Sequence, residues 1–246
     1  MVTHEAWLTQ LFNEYLAGFG NMLLSLFHLT AENPKEPWAD FVVMQIAVVA
    51  IIMLLLAILR PALSVRKPGT LQHLFELIHT FIAGQSDDQI GHDGKKHTTL
   101  FETLFIFLLL ANLIGIIPMF VSPTQSPFVP CGCAIIAFLY YNYVGIRKQG
   151  LGHYLKHFMG PIPAMAPLMV PIEIISHIAR PMSLTIRLFA NMYAGEQVTL
   201  VFLSMTYLIA PAIFMGLHVF VSFLQAYIFV LLTMMYVAGA VAEEEH

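Results

Sequence analysis

Long apolar runs without charged side chains constrain this chain more than any other feature of its sequence. Residues 41–59 form a run of 19 residues interrupted only by Gln45 and closed by Asp40 and Arg60. At about 1.5 Å per residue, a helix of this length crosses a hydrocarbon core of about 30 Å. Since 58% of the chain is hydrophobic and only 11% is charged, with a mean hydropathy of +0.76, too few polar side chains remain to cover a soluble protein. The sequence therefore indicates a membrane protein.

The same pattern predicts an all-α polytopic membrane protein with five membrane helices and additional amphipathic interfacial helices. The five spans are predicted at about residues 41–59, 103–120, 128–146, 168–204 and 211–242. The fourth would be about 55 Å long at the usual helical rise, which is too long for an upright span. It must therefore break, protrude or tilt, and Pro181 is a position where it could kink. A steep tilt of the last two helices along a partner is the preferred interpretation.

The distribution of cationic residues predicts how the chain is oriented. Residues 1–40 carry only Lys35, and the turn at 121–127 carries none, whereas the segments 60–102 and 147–167 hold eight of the eleven lysines and arginines. Loops rich in lysine and arginine face the cytoplasm. With five spans, the amino terminus is expected outside and the carboxyl terminus in the cytoplasm. The net charge of −4 provides no basic stripe for nucleic acid.

Two further segments are predicted to lie at the membrane surface. Residues 1–38 are expected to form an outer interfacial segment ahead of the membrane domain at 39–246, because the apolar stretch at 16–29 is too short to span. Residues 71–83 repeat apolar side chains at helical spacing, with polar ones between them. This pattern is typical of a helix that lies on the cytoplasmic face.

Polar side chains line one face of the fourth predicted helix. At about 100° per residue, six of them fall within an arc of about 120° whose opposite side is apolar: Glu173, His177, Arg180, Ser183, Arg187 and Asn191. Glu196 points away from this arc, toward a different neighbour. In the fifth helix, His218, Ser222 and Gln225 follow i, i+4, i+7 spacing and form a shorter polar face. Because ionisable groups within a span cost about 2.5–3.5 kcal/mol each, we interpret the two faces as a conduction site.

The predicted topology separates these groups by depth. Glu173 and His177 are expected toward the cytoplasm, whereas Glu196 and His218 are expected toward the outer side. Carboxylates and imidazoles can relay protons, because their neighbours can shift their pKa values toward the working pH. Arg187 lies between the two groups and stays charged, since a guanidinium keeps its proton far above neutral pH. The pattern thus indicates two proton-capable groups divided by a fixed cation.

Simpler interpretations remain open for some of these residues. His218 alone is as readily a hydrogen-bonded packing residue, and Arg180 could extend toward the headgroups. For Arg187, deep within its span, a buried partner or an aqueous cavity is required. His153 and His157 have the i, i+4 spacing of metal ligands, but in a basic loop an interfacial patch is the better interpretation.

Residues 183–196 read Ser-Leu-Thr-Ile-Arg-Leu-Phe-Ala-Asn-Met-Tyr-Ala-Gly-Glu. This stretch closely resembles subunit a of F-type ATP synthases, the membrane stator of a rotary motor. The resemblance extends through Glu173, Ser176 and Arg180, through residues 112–118 (Asn-Leu-Ile-Gly-Ile-Ile-Pro), and through His218 and residues 224–229. It covers most of residues 38–246.

The resemblance implies partners and a mechanism. The two long helices would cradle a rotor ring of c subunits, with b-type peripheral stalk subunits and, indirectly, the catalytic headpiece as further partners. Protons would reach a ring carboxylate past Glu196 and His218 and leave past Glu173. Arg187 would divide these two half-channels.

The resemblance also implies roles for the remaining polar positions and a location. Asn191 and Gln225 would orient the guanidinium or hold water beside it, and Ser183 and His177 would belong to the same translocation path. The subunit would not be catalytic by itself, would need no metal or cofactor, and would lie in the bacterial inner membrane. The turn at 122–127, which includes Ser126, has no acidic residue where many relatives carry one. The choice between H⁺ and Na⁺, the ring size and the direction of turnover are not predicted.

Two other functions were weighed against this interpretation. A secondary transporter could use the buried arginine and carboxylates to bind an anionic substrate, but the predicted five spans contain no inverted repeat. An intramembrane metalloenzyme could use the histidines, but the chain has no H-E-x-x-H motif and no histidine pair inside a predicted span.

Overall fold

The described part of the chain is entirely α-helical apart from turns and short 3-10 segments. The computed structural model describes residues 7–26, 33, 35–64, 67–117, 120–150, 152, 166–205 and 209–241. Within them lie seven α-helices: α1 (Trp7–Leu26), α2 (Asp40–Ala62), α3 (Thr70–Ile90), α4 (Thr98–Leu113), α5 (Phe128–Gln149), α6 (Ala166–Met205) and α7 (Ile209–Val241). The all-α polytopic fold class predicted from the sequence is confirmed. His153 and His157 lie outside the described residues.

Four of the described helices are long and apolar enough to cross a membrane. They are Asp40–Ala62, Thr98–Ile116, Phe128–Gln149 and Ala212–Val241. The long helix α6, which carries most of the ionisable side chains of the polar face, is not among them. The number of five spans therefore stays a prediction.

Helix α6 is continuous where the sequence left a break open. It runs for 40 residues and includes both Pro171 and Pro181, which gives a length of about 60 Å at the usual rise. The sequence left open that the helix breaks, protrudes or tilts. The structure excludes a break at Pro181.

The helix α4 ends earlier than the apolar pattern predicted. It stops at Leu113, and a 3-10 turn continues it to Ile116, whereas the predicted span reached residue 120. Pro118 explains the difference, because the ring of a proline disfavours helical geometry in the residue before it. Hydrophobicity alone does not register this effect.

The four helices α4 to α7 share one core. Its largest fully buried side chains include Phe101, Phe105, Tyr141, Leu188 and Phe229. Small side chains on α5 and α7, Ala134 and Ala226, are also buried in this cluster and allow the helices to approach closely. Helix α2 joins through a second cluster that contains Val48, Ala111 and Ile114.

The two ends of the bundle differ in chemistry. At one end, which we call the turn end, the rings of Phe41 and Phe128 stack with centroids 5.4 Å apart, next to the turn that links α4 to α5. At the other, which we call the basic end, Lys148 at the end of α5 lies beside the 3-10 segment Gly91–Lys96. The predicted assignment of these ends to the outer side and the cytoplasm stays a prediction.

A buried hydrogen-bond network fastens the turn end. Thr124 Oγ1 donates to Asn112 Oδ1 at 2.7 Å, and Asn112 Nδ2 donates to the carbonyl oxygen of Ser222 in α7 at 3.2 Å. Ser122 Oγ donates to the carbonyl oxygen of Ala111 at 2.8 Å. A Cβ on Gly115 would lie 2.9 Å from the backbone nitrogen of Ser122, so this close approach requires glycine. The turn is therefore part of the packed interior, and it links α4 to α7.

The surface helix α3 is longer than the sequence indicated. It covers Thr70–Ile90 instead of residues 71–83, and its contacts with the bundle include the buried side chain of Ile82. Two of the side chains expected to face the membrane, Leu74 and Leu77, remain exposed, the latter at 68%. This exposed apolar face fits the predicted position at the cytoplasmic surface, which stays a prediction.

Asp93 forms ion pairs with two lysines at the basic end. Lys96 Nζ donates to Asp93 Oδ1 at 2.7 Å, and Lys148 Nζ lies 3.4 Å from Asp93 Oδ2. The hydrogen bond from Lys96, then the charge of that ammonium and the contact with Lys148, hold the pKa of Asp93 below its ordinary value. Since Lys148 belongs to α5, this bridge joins the end of α5 to the segment before α4.

We expect Thr124→Val to destabilise the protein by about 1–3 kcal/mol, because it leaves the buried Asn112 oxygen without its donor. The measurement is thermal unfolding of the purified full chain in detergent. The matched control is Thr103→Val, since Thr103 Oγ1 is exposed and bonds only the carbonyl oxygen of Thr99 in its own helix. Equal unfolding temperatures for the two variants would show that the turn-end network contributes little.

We expect Asp93→Asn to lower the unfolding temperature at neutral pH, and this difference from wild type to vanish in acid. A carboxyl whose pKa is lowered on folding stabilises the protein above its unfolded pKa of about 3.9, and this stabilisation is lost as the pH falls through the folded pKa. The check is a series of thermal melts of both proteins from neutral pH to below that range. A difference that stayed constant with pH would exclude the carboxylate charge as its cause.

Candidate functional site

The first half of α6 carries an ion pair near the basic end. Arg180 Nη2 lies 3.7 Å from Glu173 Oε1, and both side chains are about one-third exposed. The Arg180 guanidinium also lies 5.5 Å from the ring centroid of Tyr236 in α7. Arg180 therefore has an acidic partner, Glu173, and an aromatic one, Tyr236, within the described part of the chain.

His177 turns from the same polar face toward α5. Its Nε2 lies 2.9 Å from Asn142 Oδ1, and its ring packs against that of Tyr141 with centroids 5.4 Å apart. Because an amide oxygen only accepts, Nε2 carries the proton in this contact. The two spans predicted to hold Asn142 and His177 are therefore joined by a polar contact within the bundle.

These side chains surround a cavity between α5, α6 and α7. The cavity has a volume of about 410 Å³, which is enough for several water molecules. Its polar lining includes Tyr141, Gln149, Glu173, His177, Arg180 and Tyr236. The cavity lies toward the basic end, since Gln149 is the last residue of α5.

The middle of α6 presents Arg187 on the outer surface of the bundle. Arg187 and Ser183 are both exposed. In the part of the chain that the structure describes, no hydrogen bond or ion pair reaches the Arg187 guanidinium. Of the two environments expected for Arg187, a buried partner or an aqueous cavity, the buried partner is not found among the described residues. One turn later, Asn191 Nδ2 donates to Gln225 Oε1 in α7 at 2.7 Å.

Toward the turn end, Glu196 and His218 lie at the interface of α6 and α7. A Cβ placed on Gly195 would be 3.1 Å from His218 Nδ1, so the imidazole packs directly against the residue before Glu196. One polar atom of each side chain, Glu196 Oε2 and His218 Nε2, is buried and has no hydrogen-bond partner among the residues that the structure describes. Buried polar atoms of this kind are commonly satisfied by water.

The polar side chains therefore form three levels along α6 and α7. Glu173 and His177 lie at the basic end, Asn191 pairs with Gln225 in the middle, and Glu196 lies near His218 at the turn end. The order of these levels is the order that the sequence predicted. Their assignment to sides of a membrane stays a prediction.

Comparison with known proteins identifies the family. The family model of the ATP synthase A chain matches residues 41–238, which include all three levels of the site. The chain belongs to the ATP synthase A chain family.

Individual relatives agree over nearly the whole length. The chain is 63% identical to ATP synthase subunit a of Solibacter usitatus over 234 residues, which cover 95% of this chain and 100% of the relative. It is 45% identical to ATP synthase subunit a of Koribacter versatilis over 239 residues, which cover 97% and 98% of the two chains. The relative from Geobacter sulfurreducens is 39% identical over 228 residues, which cover 93% and 96%.

Membership in the ATP synthase A chain family fixes the general role of the chain. It is a component of the proton-translocating membrane sector of ATP synthase and is not catalytic on its own. The resemblance recognised from residues 183–196 is therefore confirmed.

Three residues of this site were not predicted from the sequence. Tyr141 and Tyr236 line the cavity, and Gly195 admits the His218 ring. A tyrosine within an apolar span carries a hydroxyl that needs a partner, which is a usable signal. A glycine inside a long helix pattern is a second signal, because it often marks a close approach by a neighbour.

Proposed function

We propose that this family member is the proton-conducting stator of the ATP synthase membrane sector, with two aqueous half-channels separated by Arg187. The half-channels load and unload a carboxylate on the rotor ring of c subunits, and this coupling of proton flow to rotation drives ATP synthesis. The observation that carries the proposal is the exposed guanidinium of Arg187, which has no counter-charge among the residues that the structure describes.

An arginine on such a surface, without a partner among the described residues, favours a partner from another subunit. The side chains of Ile186 and Ala190 beside it are exposed and apolar, so in a bilayer this surface would face lipid or another subunit. A charge held near the centre of a span costs about 2.5–3.5 kcal/mol. A carboxylate on a neighbouring helix offsets this cost, and a rotor ring presents such carboxylates in turn.

The shape of the surface favours a helical partner. Two exposed side chains on this surface of α6 are small: Ala190, about one turn after Arg187, and Ala194, about two turns after it. Small side chains let a second helix approach closely. Across the interface, α7 exposes apolar side chains such as Leu217 and Phe220. The ring of c subunits is the partner that we assign to this surface.

The uptake half-channel is assigned to the turn end. Glu196 Oε2 and His218 Nε2, which have no partner among the described residues, can each bind a water molecule. From there, the amides of Asn191 and Gln225 lead to the level of Arg187. These amides neither gain nor lose a proton, so they orient water and the guanidinium.

The release half-channel is assigned to the cavity of about 410 Å³ at the basic end. Its lining includes Glu173 and His177, and Arg180 Nη2 lies 3.7 Å from Glu173 Oε1. Ser183 lies on the exposed face between this cavity and Arg187. The two half-channels therefore meet the ring surface on opposite sides of Arg187.

The permanent charge of Arg187 separates the unloading of a ring carboxylate from its loading. A protonated ring carboxylate arriving at Arg187 loses its proton to the release side, because the guanidinium stabilises the anion. After passing Arg187, the anion regains a proton from the uptake side. Arginine does not itself accept or donate a proton at working pH, so it blocks direct hopping between the half-channels. A membrane potential contributes about 2.3 kcal/mol per proton per 100 mV.

The proposal includes a location and further partners. The chain would lie in the bacterial inner membrane with its amino terminus outside and its carboxyl terminus in the cytoplasm. The b-type peripheral stalk subunits would hold it against the catalytic headpiece.

We expect Arg187→Ala to abolish ATP-driven proton pumping and Arg187→Lys to impair it severely. The first removes the coupling charge, and the second removes the planar fork and the very high pKa. The measurement is acidification of inverted membrane vesicles that contain the assembled ATP synthase, with passive proton leak recorded in parallel and stator incorporation confirmed by immunoblot.

The matched control is Arg147→Ala, which removes the same charge from the basic end, where Arg147 donates to the nearby Tyr143 hydroxyl. It should pump at the wild-type rate. Normal pumping by assembled Arg187→Ala would refute the central role of this residue, whereas an added leak would show that the half-channels have joined.

We expect Glu196→Gln and His218→Ala to slow pumping through the same step. Because the two side chains share one uptake route, the double variant should be no slower than the slower single variant. The corresponding coupling in a double-mutant cycle is about 0.5 kcal/mol or more. The measurement is the initial pumping rate of the four vesicle preparations, corrected for the amount of stator.

His79→Ala is the control for this cycle, because His79 lies on α3 and contacts Glu102 at the other end of the bundle. Its effect should simply add to that of Glu196→Gln. If His218→Ala also adds to Glu196→Gln, the two residues belong to separate routes.

A further inference from the structure

Helix α1 carries a stripe of apolar side chains that are exposed in the described part of the structure. At about 100° per residue, the stripe lies within about one-third of the helix circumference. Its members are Trp7, Leu11, Tyr15, Phe19 and Met22. Tyr15 is 75% exposed and Trp7 52%. Such a concentration of exposed aromatic and aliphatic side chains marks an interaction surface.

The opposite face of α1 is fastened to the segment that precedes α2. Trp38 donates its backbone N–H to Asn13 Oδ1 at 3.0 Å, and Asn13 Nδ2 donates to the carbonyl oxygen of Trp38 at 3.3 Å. The Trp38 indole N–H donates to the carbonyl oxygen of Leu16 at 2.9 Å. Three hydrogen bonds thus hold α1 at one rotation, which fixes the direction of the stripe.

Close packing reinforces this clamp. The ring of Phe12 meets that of Trp38 edge-on at 5.9 Å, and the ring of Phe19 stacks on it at 6.5 Å. A Cβ on Gly20 would lie 2.7 Å from the Trp38 indole nitrogen, so the indole fits only against glycine. Any rotation of α1 that moved the stripe would break these contacts.

The clamp sets the level of α1 relative to the membrane. Trp38 lies two residues before Asp40, where α2 begins its apolar run. Beyond this point, α2 exposes apolar side chains such as Ile46, Val49 and Met53. The stripe of α1 is therefore held next to the plane where a bilayer would begin.

The chemistry of the stripe fits the boundary between lipid headgroups and acyl chains. Tryptophan and tyrosine concentrate at this level, because their rings are apolar and their N–H or O–H groups are polar. The described residues of α1 carry a single charge, Glu14, and no lysine or arginine. Apolar burial, instead of attraction to anionic headgroups, would supply the affinity.

We propose that α1 is an interfacial anchor whose stripe inserts into the bilayer leaflet at the turn end. In this arrangement, the contacts of Trp38 fix the height of α1 relative to the start of α2. The occupant of the stripe is the phospholipid bilayer. This assignment is independent of the proton path, since it involves no residue of the three polar levels.

The two tryptophans of the chain permit a direct test. The full-length chain is reconstituted into vesicles of palmitoyl-oleoyl-phosphatidylcholine, with or without the same lipid brominated at a shallow or a deep acyl position. Subtracting the emission of Trp7→Phe from that of wild type isolates Trp7. We expect shallow bromines to quench Trp7 more than deep bromines do, and aqueous acrylamide to quench it little.

A pair of neighbouring substitutions supplies the specificity control. Leu11→Glu places a charge in the stripe and should remove the bromine quenching of Trp7, whereas Gln10→Glu places the same charge outside it and should leave the quenching intact. Two results would overturn the proposal. Strong acrylamide quenching of wild-type Trp7 without bromine quenching would place the stripe in water, and protection from both would place it under protein.

Discussion

The side-by-side packing of α6 and α7 is the interaction on which the other features of the site depend. Leu184, Leu188 and Met192 are buried at i, i+4, i+8 spacing and so fix the rotation of α6 about its axis. With that rotation set, Asn191 meets Gln225, and Arg187 is left on the outer surface. An apolar stripe thus decides where the polar groups point, although it takes no part in their chemistry.

The bundle handles its buried polar groups in two ways. Asn112 and Thr124 are satisfied within the chain, and their hydrogen bonds link the turn end to α7. Glu196 and His218 each keep a buried atom without a hydrogen-bond partner among the described residues. The first arrangement is typical of a structural contact, because every group is paired. The second leaves capacity for water, which is what a proton path requires.

The sequence predicted the helices well because helical spans are encoded locally, in runs of apolar residues and their periodicity. It also predicted the order of the polar levels, because position along antiparallel helices follows from residue number. It could not predict that His177 meets Asn142, since the rotation of α6 against α5 depends on packing throughout the core. The hydrogen bond from Thr124 to Asn112 could not be predicted for the same reason. In the sequence, Thr124 is an ordinary polar turn residue, and only the fold brings it next to Asn112.

The uninterrupted 40 residues of α6 have a mechanical consequence. A helix that broke at Pro181 would bend there when pushed, and a force applied near Arg187 would be lost in that bend. Because α6 continues through the proline and packs along α7, we expect the pair to bend less at this point than an interrupted helix would. In the proposed stator, such stiffness would keep the guanidinium in place while ring carboxylates are pulled past it, so that the elastic strain is stored elsewhere in the motor.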